Sequence, residues 1–135
     1  MAILGLDVGQ KRIGVALAED LVAIPLTVIE RAGEKKDLER VLALAEEHGV
    51  KRIVVGLPRS MDGSIGQQAE RVLAFSRALS QHTDVPVDTW DERLSTVAAE
   101  RLLADARMKR EKRKARRDAM AAAIILQSYL DRVSR

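Results

Sequence analysis

The strongest indication of the fold is the stretch AILGLDV at residues 2–8, which is apolar except for Asp7. A nearly continuous apolar run of this length is typical of a β-strand that is covered on both faces. A second run of the same kind, KRIVVGL at residues 51–57, ends at Pro58. The two runs predict two buried strands of a sheet that helices cover.

The rest of the chain alternates strand and helix patterns. A turn at residues 9–12 leads to a strand at 13–18 and then to one at 23–30, and these short connections favour an antiparallel meander. Further along, the apolar spacing predicts helices at 34–48, 67–81, 96–106 and 118–133, with a short strand at 85–90. The last helix should turn four residues inward: Ala122, Leu126, Leu130 and Val133. The order βββαβαβαα predicts an α/β fold with a mixed β-sheet flanked by helices, in a single domain over residues 1–135.

The composition excludes several classes of protein. The 135 residues include no cysteine, which rules out disulfides, a thiolate nucleophile and cysteine-based metal sites. The longest uninterrupted apolar stretch, residues 119–126, is far shorter than the roughly 20 residues that span a bilayer. The N-terminus lacks the features of an export signal. We therefore expect a cytoplasmic protein without a membrane partner.

Positive charge is concentrated in one short segment. Residues 107–117 hold eight Lys/Arg against one acid, a net +7, which leaves −4 for the remainder of a chain whose total is +3. An acidic body with one basic segment indicates a local contact with a polyanion. A solvated linker or helix face would have the same composition, so charge alone leaves both interpretations open.

Three acids stand at positions where a carboxylate can indicate a binding or catalytic site. Asp7 interrupts an apolar strand, where a charged group is costly unless it is paired or bound to metal; alternatively, its oxygens accept backbone N–H groups of the Gly9 turn. Glu92 follows the strand that ends near Trp90, and a polar loop would explain it equally. Asp118 opens the last helix, where acids often complement the helix dipole.

Taken together, the three acids suggest a metal site. Ligands of mixed sheets bind at the carboxyl ends of parallel strands, and the small residues after Asp118 would let the last helix approach the same edge. Convergent carboxylates without His or Cys suit Mg²⁺ or Mn²⁺. Two such ions can activate a water molecule and stabilise the leaving oxygen of a phosphodiester. The neighbouring basic segment would then hold a nucleic-acid backbone.

Four motifs, in this order, resemble the YqgF family: GLDVGQKRIGVA at residues 5–16, VGLP with MDGS at 55–58 and 61–64, DERLST at 91–96, and Asp118 before AAIILQSYL at 122–130. Members of that family are bacterial proteins assigned as nucleases of the 16S rRNA precursor or as Holliday junction resolvases. The resemblance runs essentially from end to end of the chain.

The resemblance implies a ribonuclease-H-like fold and a hydrolase in which Asp7, Glu92 and Asp118 are the catalytic, metal-binding carboxylates for two Mg²⁺ or Mn²⁺ ions. It favours Glu92 over the adjacent Asp91. We expect the nucleic-acid contacts to come from basic residues in the motifs and in the basic segment: Lys11, Arg12, Arg93, Lys109, Arg110, Arg113, Lys114, Arg116 and Arg117. Arg12 and Arg93 would serve equally as partners in structural ion pairs. The segment with Ser60, Asp62, Gly63 and Ser64 resembles a substrate-side loop.

Three functions remain to be distinguished. The first is processing of the 5′ end of pre-16S rRNA, with ribosomal particles as partners. The second is resolution of four-way DNA junctions, which would favour a homodimer over a monomer. The third is a non-catalytic RNA-binding assembly factor, against which the three acids argue because −3 beside phosphates would weaken binding. An actin-like ATPase is excluded by length, and P-loop and GxGxxG motifs are missing from the sequence.

Overall fold

The computed structural model describes residues 1–58, 65–92 and 117–133. In chain order these residues form the strands β1 (Ala2–Val8), β2 (Arg12–Ala18) and β3 (Ala23–Glu30), the helix α1 (Glu34–Glu47), the strand β4 (Val50–Leu57), the helix α2 (Gln67–Gln81), the strand β5 (Val87–Asp91) and the helix α3 (Arg117–Val133). The predicted helix at 96–106 lies outside the described residues.

The five strands form one mixed sheet in the order β3-β2-β1-β4-β5. The first three strands pair antiparallel as the predicted meander, whereas β1 with β4 and β4 with β5 are parallel. The two apolar runs are therefore adjacent central strands. The carboxyl ends of β1, β4 and β5 lie at the same edge of the sheet, which is where the site residues are expected.

Two cores cover the two faces of the sheet. On one face, Leu4, Leu6 and Val8 of β1 pack with residues of α1 and α2. On the other, small and branched residues of β2 and β4 pack against α3, which contributes Ala122 and Leu126. Alternation along β1 places Ile3, Gly5 and Asp7 on this second face. At Gly5 an added Cβ would lie 2.8 Å from the Leu126 Cβ, so the glycine lets α3 lie close to the sheet.

The boundaries of the three described helices agree with the sequence predictions to within a residue, and two other details differ. The short strand runs from Val87 to Asp91 rather than over 85–90. Val133 was predicted to face inward but is 56% exposed. It stands on the same helical stripe as Ala122, Leu126 and Leu130, yet it is the last residue of α3. Apolar periodicity identifies the face of a helix but not the point at which the packing surface ends.

Candidate active site

Asp7 lies near the carboxyl end of β1, on the face of the sheet that α3 covers. It pairs with Gly14 of β2, and the side chain is partly buried. The Gly9 N–H donates to the Arg12 carbonyl at 2.9 Å, so it is not available to Asp7. No hydrogen bond to the Asp7 carboxylate comes from the residues that the structure describes. The local alternative considered for this acid is therefore not what the structure contains.

Asp118 reaches the same place from the first turn of α3. The helix crosses β2 at Gly14, where an added Cβ would lie only 1.8 Å from the Asp118 carbonyl oxygen. Because Gly14 pairs with Asp7, this close approach brings the start of α3 next to Asp7. The Asp118 carboxylate accepts a 2.8 Å hydrogen bond from Arg12 Nε, with both side chains partly open to solvent.

Glu92 comes from the opposite side of Asp7. It directly follows β5, whose residues Trp90 and Asp91 pair with Gly56 and Leu57 of β4. The Glu92 Oε1 lies 2.9 Å from the position that a Cβ of Gly56 would take, on the face that contacts Ile125 of α3. Since Leu6 pairs with Val55, Gly56 is beside Asp7 in the next strand. Asp7 is thus flanked by two glycines, each of which leaves room for one further acid.

The electrostatics indicate that the three acids interact. Burial and, to a smaller extent, the charge of Asp118 raise the pKa of Asp7 from 3.8 to about 6. Burial, then Asp7 and then Asp91, raise the pKa of Glu92 from 4.5 to about 7. Desolvation and neighbouring negative charge both penalise the ionised form, and both are relieved by a cation. Such raised pKa values are typical of functional carboxylates.

The donor set fits a hard divalent cation, but the geometry is open. The three acids offer carboxylate oxygens, which is the ligand type that Mg²⁺ and Mn²⁺ take. Within residues 1–58, 65–92 and 117–133, however, no three acids or histidines are grouped closely enough to hold one ion. Asp118 is turned toward Arg12 instead.

The predicted nucleic-acid contacts are only partly visible. Lys11 is exposed in the turn after β1, and Arg12 is half-exposed beside Asp118. The hydrogen bond from Arg12 to Asp118 and the charge of that carboxylate raise the pKa of Arg12. The other predicted contacts lie outside the described residues: Arg93, Lys109, Arg110, Arg113, Lys114 and Arg116. The side chain of Arg117 is also outside the described part of the chain. The same holds for the predicted loop residues Ser60, Asp62, Gly63 and Ser64.

Sequence reasoning missed the residues that make room for the acids and those that anchor the turn beside them. Gly14 and Gly56 stand in the motif regions, but their role depends on which strand and helix pass beside them. Gln68, the second residue of α2, donates from Nε2 to the Val8 carbonyl at 3.1 Å. Arg31 donates to the Gly9 carbonyl at 2.9 Å. Neither side chain has a local pattern that would have indicated these contacts.

The chain is similar to known proteins over nearly its whole length. A family profile described as "RuvX: Holliday junction resolvase" matches residues 1–132. A protein of Desulforamulus reducens, named "Putative pre-16S rRNA nuclease", is 52% identical over 97% of this chain and 97% of its own. A protein of Symbiobacterium thermophilum with the same name is 51% identical over 97% of this chain and 92% of its own.

A solved structure supports the fold. The Thermus thermophilus RuvC chain in complex with a Holliday junction substrate superimposes with a TM-score of 0.66, at 20% identity, over 99% of this chain and 96% of that one. At this identity the likeness concerns the fold alone, and it confirms the ribonuclease-H-like class. The family profile, in contrast, matches nearly the whole chain, and the relatives are about half identical to it over nearly its full length. On that basis this chain belongs to the RuvX family.

Proposed function

We propose that this protein is a Mg²⁺- or Mn²⁺-dependent nuclease that hydrolyses phosphodiester bonds in the 5′ region of pre-16S rRNA in the cytoplasm. The observation that carries the proposal is the approach of Asp7, Glu92 and Asp118 from three elements to one edge of the sheet. The names of the relatives supply the substrate class. Ribosomal particles are the partners that this substrate implies.

In the proposed site Asp7, which lies between the other two acids, would hold the divalent cations together with Glu92 and Asp118. Divalent cations bound there would activate a water molecule and neutralise charge on the leaving oxygen. The partial burial of Asp7 and Glu92 would strengthen their attraction for a bound cation. A cation bound at Asp118 would compete with Arg12, whose Nε donates to that carboxylate, while the Nη groups of Arg12 would contact a substrate phosphate.

Resolution of a four-way DNA junction is the second candidate. The description of the family profile favours it. The same carboxylates would serve either substrate, since both reactions hydrolyse a phosphodiester bond. The shared fold of RuvC does not separate the two, because a fold alone does not determine the substrate.

A cleavage assay tests the proposal. End-labelled RNA across the 5′ junction of the 16S precursor and a labelled four-way DNA junction would each be incubated with protein and Mg²⁺ or Mn²⁺. The variants are Asp7→Asn and, as a matched control, Asp20→Asn, an exposed acid in the turn between β2 and β3. We expect the RNA to be cut by the wild type and by Asp20→Asn, and the rate to fall by at least about 100-fold in Asp7→Asn.

Other outcomes would change the conclusion. Symmetric cutting of the junction alone would make the protein a resolvase. Cleavage that survives Asp7→Asn would come from a contaminating enzyme. Binding of RNA without cleavage under any metal condition would favour the non-catalytic assembly factor.

A further inference from the structure

Arg31, which follows β3, contacts three other parts of the molecule. Its backbone N–H donates to the Lys11 carbonyl at 2.9 Å, and its Nη1 donates to the Gly9 carbonyl at 2.9 Å. Its Nε donates to Asp37 of α1 at 2.9 Å. The guanidinium also lies 5.4 Å from the ring centroid of Phe75 in α2, within reach of a cation–π contact. One side chain therefore joins the turn after β1 to both helices on the far face of the sheet.

The partner of Arg31 makes this arrangement rigid. The Asp37 side chain is 1% exposed, and its second oxygen accepts the backbone N–H of Ala32 at 3.0 Å. A buried carboxylate that loses its cation is left with a large desolvation penalty, so the pair has a strong preference for one geometry. The ion pair with Asp37 therefore fixes the Arg31 guanidinium while its Nη1 donates to the Gly9 carbonyl of the turn.

The turn at residues 9–11, here called the β1–β2 turn, is anchored through its backbone. The Gly9 N–H closes it on the Arg12 carbonyl at 2.9 Å. Arg31 holds the carbonyls of Gly9 and Lys11. These contacts define where β2 begins, and β2 begins with Arg12, the residue that donates to Asp118.

We propose that Arg31, fixed by Asp37, is a positioning residue of the nuclease site: it holds the β1–β2 turn so that the Arg12 guanidinium stays beside Asp118 and in place for a substrate phosphate. This inference rests on the proposed function and extends it to a residue on the opposite side of the turn from the acids. Arg31 touches neither metal nor substrate in this scheme. It acts on nucleic-acid binding only through Arg12.

Arg31→Lys is the sharpest variant. A lysine keeps the positive charge opposite Asp37, but a single ammonium cannot span the carboxylate and the Gly9 carbonyl as the planar guanidinium does. Arg52→Lys is the matched control, because Arg52 also pairs with an acid, Asp88, but joins β4 to β5 away from the turn.

The experiment is a double-mutant cycle between Arg31→Lys and Arg12→Ala in the full-length protein. Its readout is the dissociation constant for labelled precursor RNA in the presence of a chelator, so that no cleavage intervenes. We expect Arg31→Lys to weaken binding about 3- to 10-fold and the double variant to bind no more weakly than Arg12→Ala alone. Arg52→Lys should leave binding unchanged and be additive with Arg12→Ala.

A second readout keeps the proposal separate from the proposed function. The Nε–Hε resonance of Arg12 in a ¹H–¹⁵N spectrum reports its hydrogen bond to Asp118 without any substrate, and it should shift in Arg31→Lys but not in Arg52→Lys. Additive effects in the cycle, or an unchanged Arg12 resonance, would overturn the role of Arg31. If the wild type neither binds nor cuts nucleic acid, the proposed function fails, while the resonance still decides the positioning role.

Should Arg31→Lys fail to fold, Arg31→Gln/Asp37→Asn removes both charges of the pair together and avoids an unpaired buried carboxylate. It still removes the charged fork that holds the Gly9 carbonyl, so the same shift of the Arg12 resonance is expected. A folded double variant with an unchanged resonance would contradict the proposal.

Discussion

The guanidinium Nε of Arg12 lies 2.8 Å from Asp118 Oδ2, an ion pair between residues 106 positions apart in the chain. It joins the first residue of β2 to the first turn of α3 and places a positive charge beside the Asp118 carboxylate. The pair has a direct consequence for metal binding, because Arg12 and a divalent cation have the same preferred partner.

Removing Arg12 should therefore tighten the binding of divalent cations. In Arg12→Ala we expect the Mn²⁺ affinity at pH 8 to rise several-fold, since Asp118 is released and one nearby positive charge is removed. Isothermal titration calorimetry measures the change. Lys11→Ala, an exposed charge in the adjacent turn, is the control and should have a much smaller effect. Equal or weaker Mn²⁺ binding in Arg12→Ala would show that the two cations do not compete.

The Asp7 carboxylate should make the folded protein less stable as the pH rises. Its pKa is raised from 3.8 to about 6 by burial and by Asp118, so the folded state binds this proton more tightly than the unfolded state does. Stability due to this group is therefore complete below about pH 4 and falls as the pH rises to about 6. Asp7→Asn should remove that loss and increase the free energy of unfolding at pH 8 by about 1–3 kcal/mol, with little effect near pH 4.

Urea unfolding in the presence of a chelator, at pH 4.5 and pH 8, tests this expectation. The control variant Asp20→Asn should have the stability of the wild type at both values. Equal destabilisation by Asp7→Asn at both pH values would mean that the surroundings do not raise the pKa of Asp7.

Metal binding should release protons over a defined range of pH. Asp7 and Glu92, with pKa values near 6 and 7, must lose their protons to act as ligands. At pH 6.5 we expect Mn²⁺ binding to release about one proton, and at pH 8.5 almost none. Calorimetry in two buffers with different ionisation enthalpies gives this number. Glu92→Gln should reduce the number of protons released. If that number did not change with pH, Asp7 and Glu92 would not be ligands of the metal.

Gly14 should not tolerate a side chain. An added Cβ would lie 1.8 Å from the Asp118 carbonyl oxygen and 2.9 Å from the Ala119 nitrogen, and backbone atoms have no rotamer by which to move away. Gly14→Ala should therefore displace the start of α3 and cost about 1–3 kcal/mol of stability. Because Asp118 moves with the helix, the variant should also lose its activity. Gly66→Ala is the comparison, since nothing lies within 4 Å of its added Cβ. Wild-type activity in Gly14→Ala would contradict the assigned role of Asp118.

The basic segment should account for much of the salt dependence of nucleic-acid binding. Replacing Arg113, Lys114, Arg116 and Arg117 by Ala should weaken binding and flatten the log–log salt slope by about 0.7–0.9 for each phosphate that the variant no longer neutralises. Filter binding between 50 and 200 mM salt, roughly the range in which such effects are large, measures it. The exposed pair Lys35 and Lys36 on α1 provides the control. An unchanged slope would make the segment a solvated face.

Much of the fold is determined locally by the sequence. Strands β1 and β4 are recognisable because a buried strand must be apolar on both faces. Gly49, with φ +60°, lies just past the end of α1, where glycine commonly terminates a helix. The short connections predict the antiparallel meander. The mixed sheet and the boundaries of the described helices followed from these patterns, because period and turn chemistry are properties of a few consecutive residues.

The arrangement of the site depends on tertiary structure. Asp7, Glu92 and Asp118 were identified from their sequence positions and from the family motifs, but only the packing of α3 across Gly14 and of Glu92 against Gly56 places two acids on either side of Asp7. The contacts of Arg12 with Asp118 and of Arg31 with Gly9 join residues far apart in sequence. Periodicity specifies which face of an element is buried, whereas the meeting of two side chains is decided by strand register and helix crossing, which emerge only when the whole chain packs.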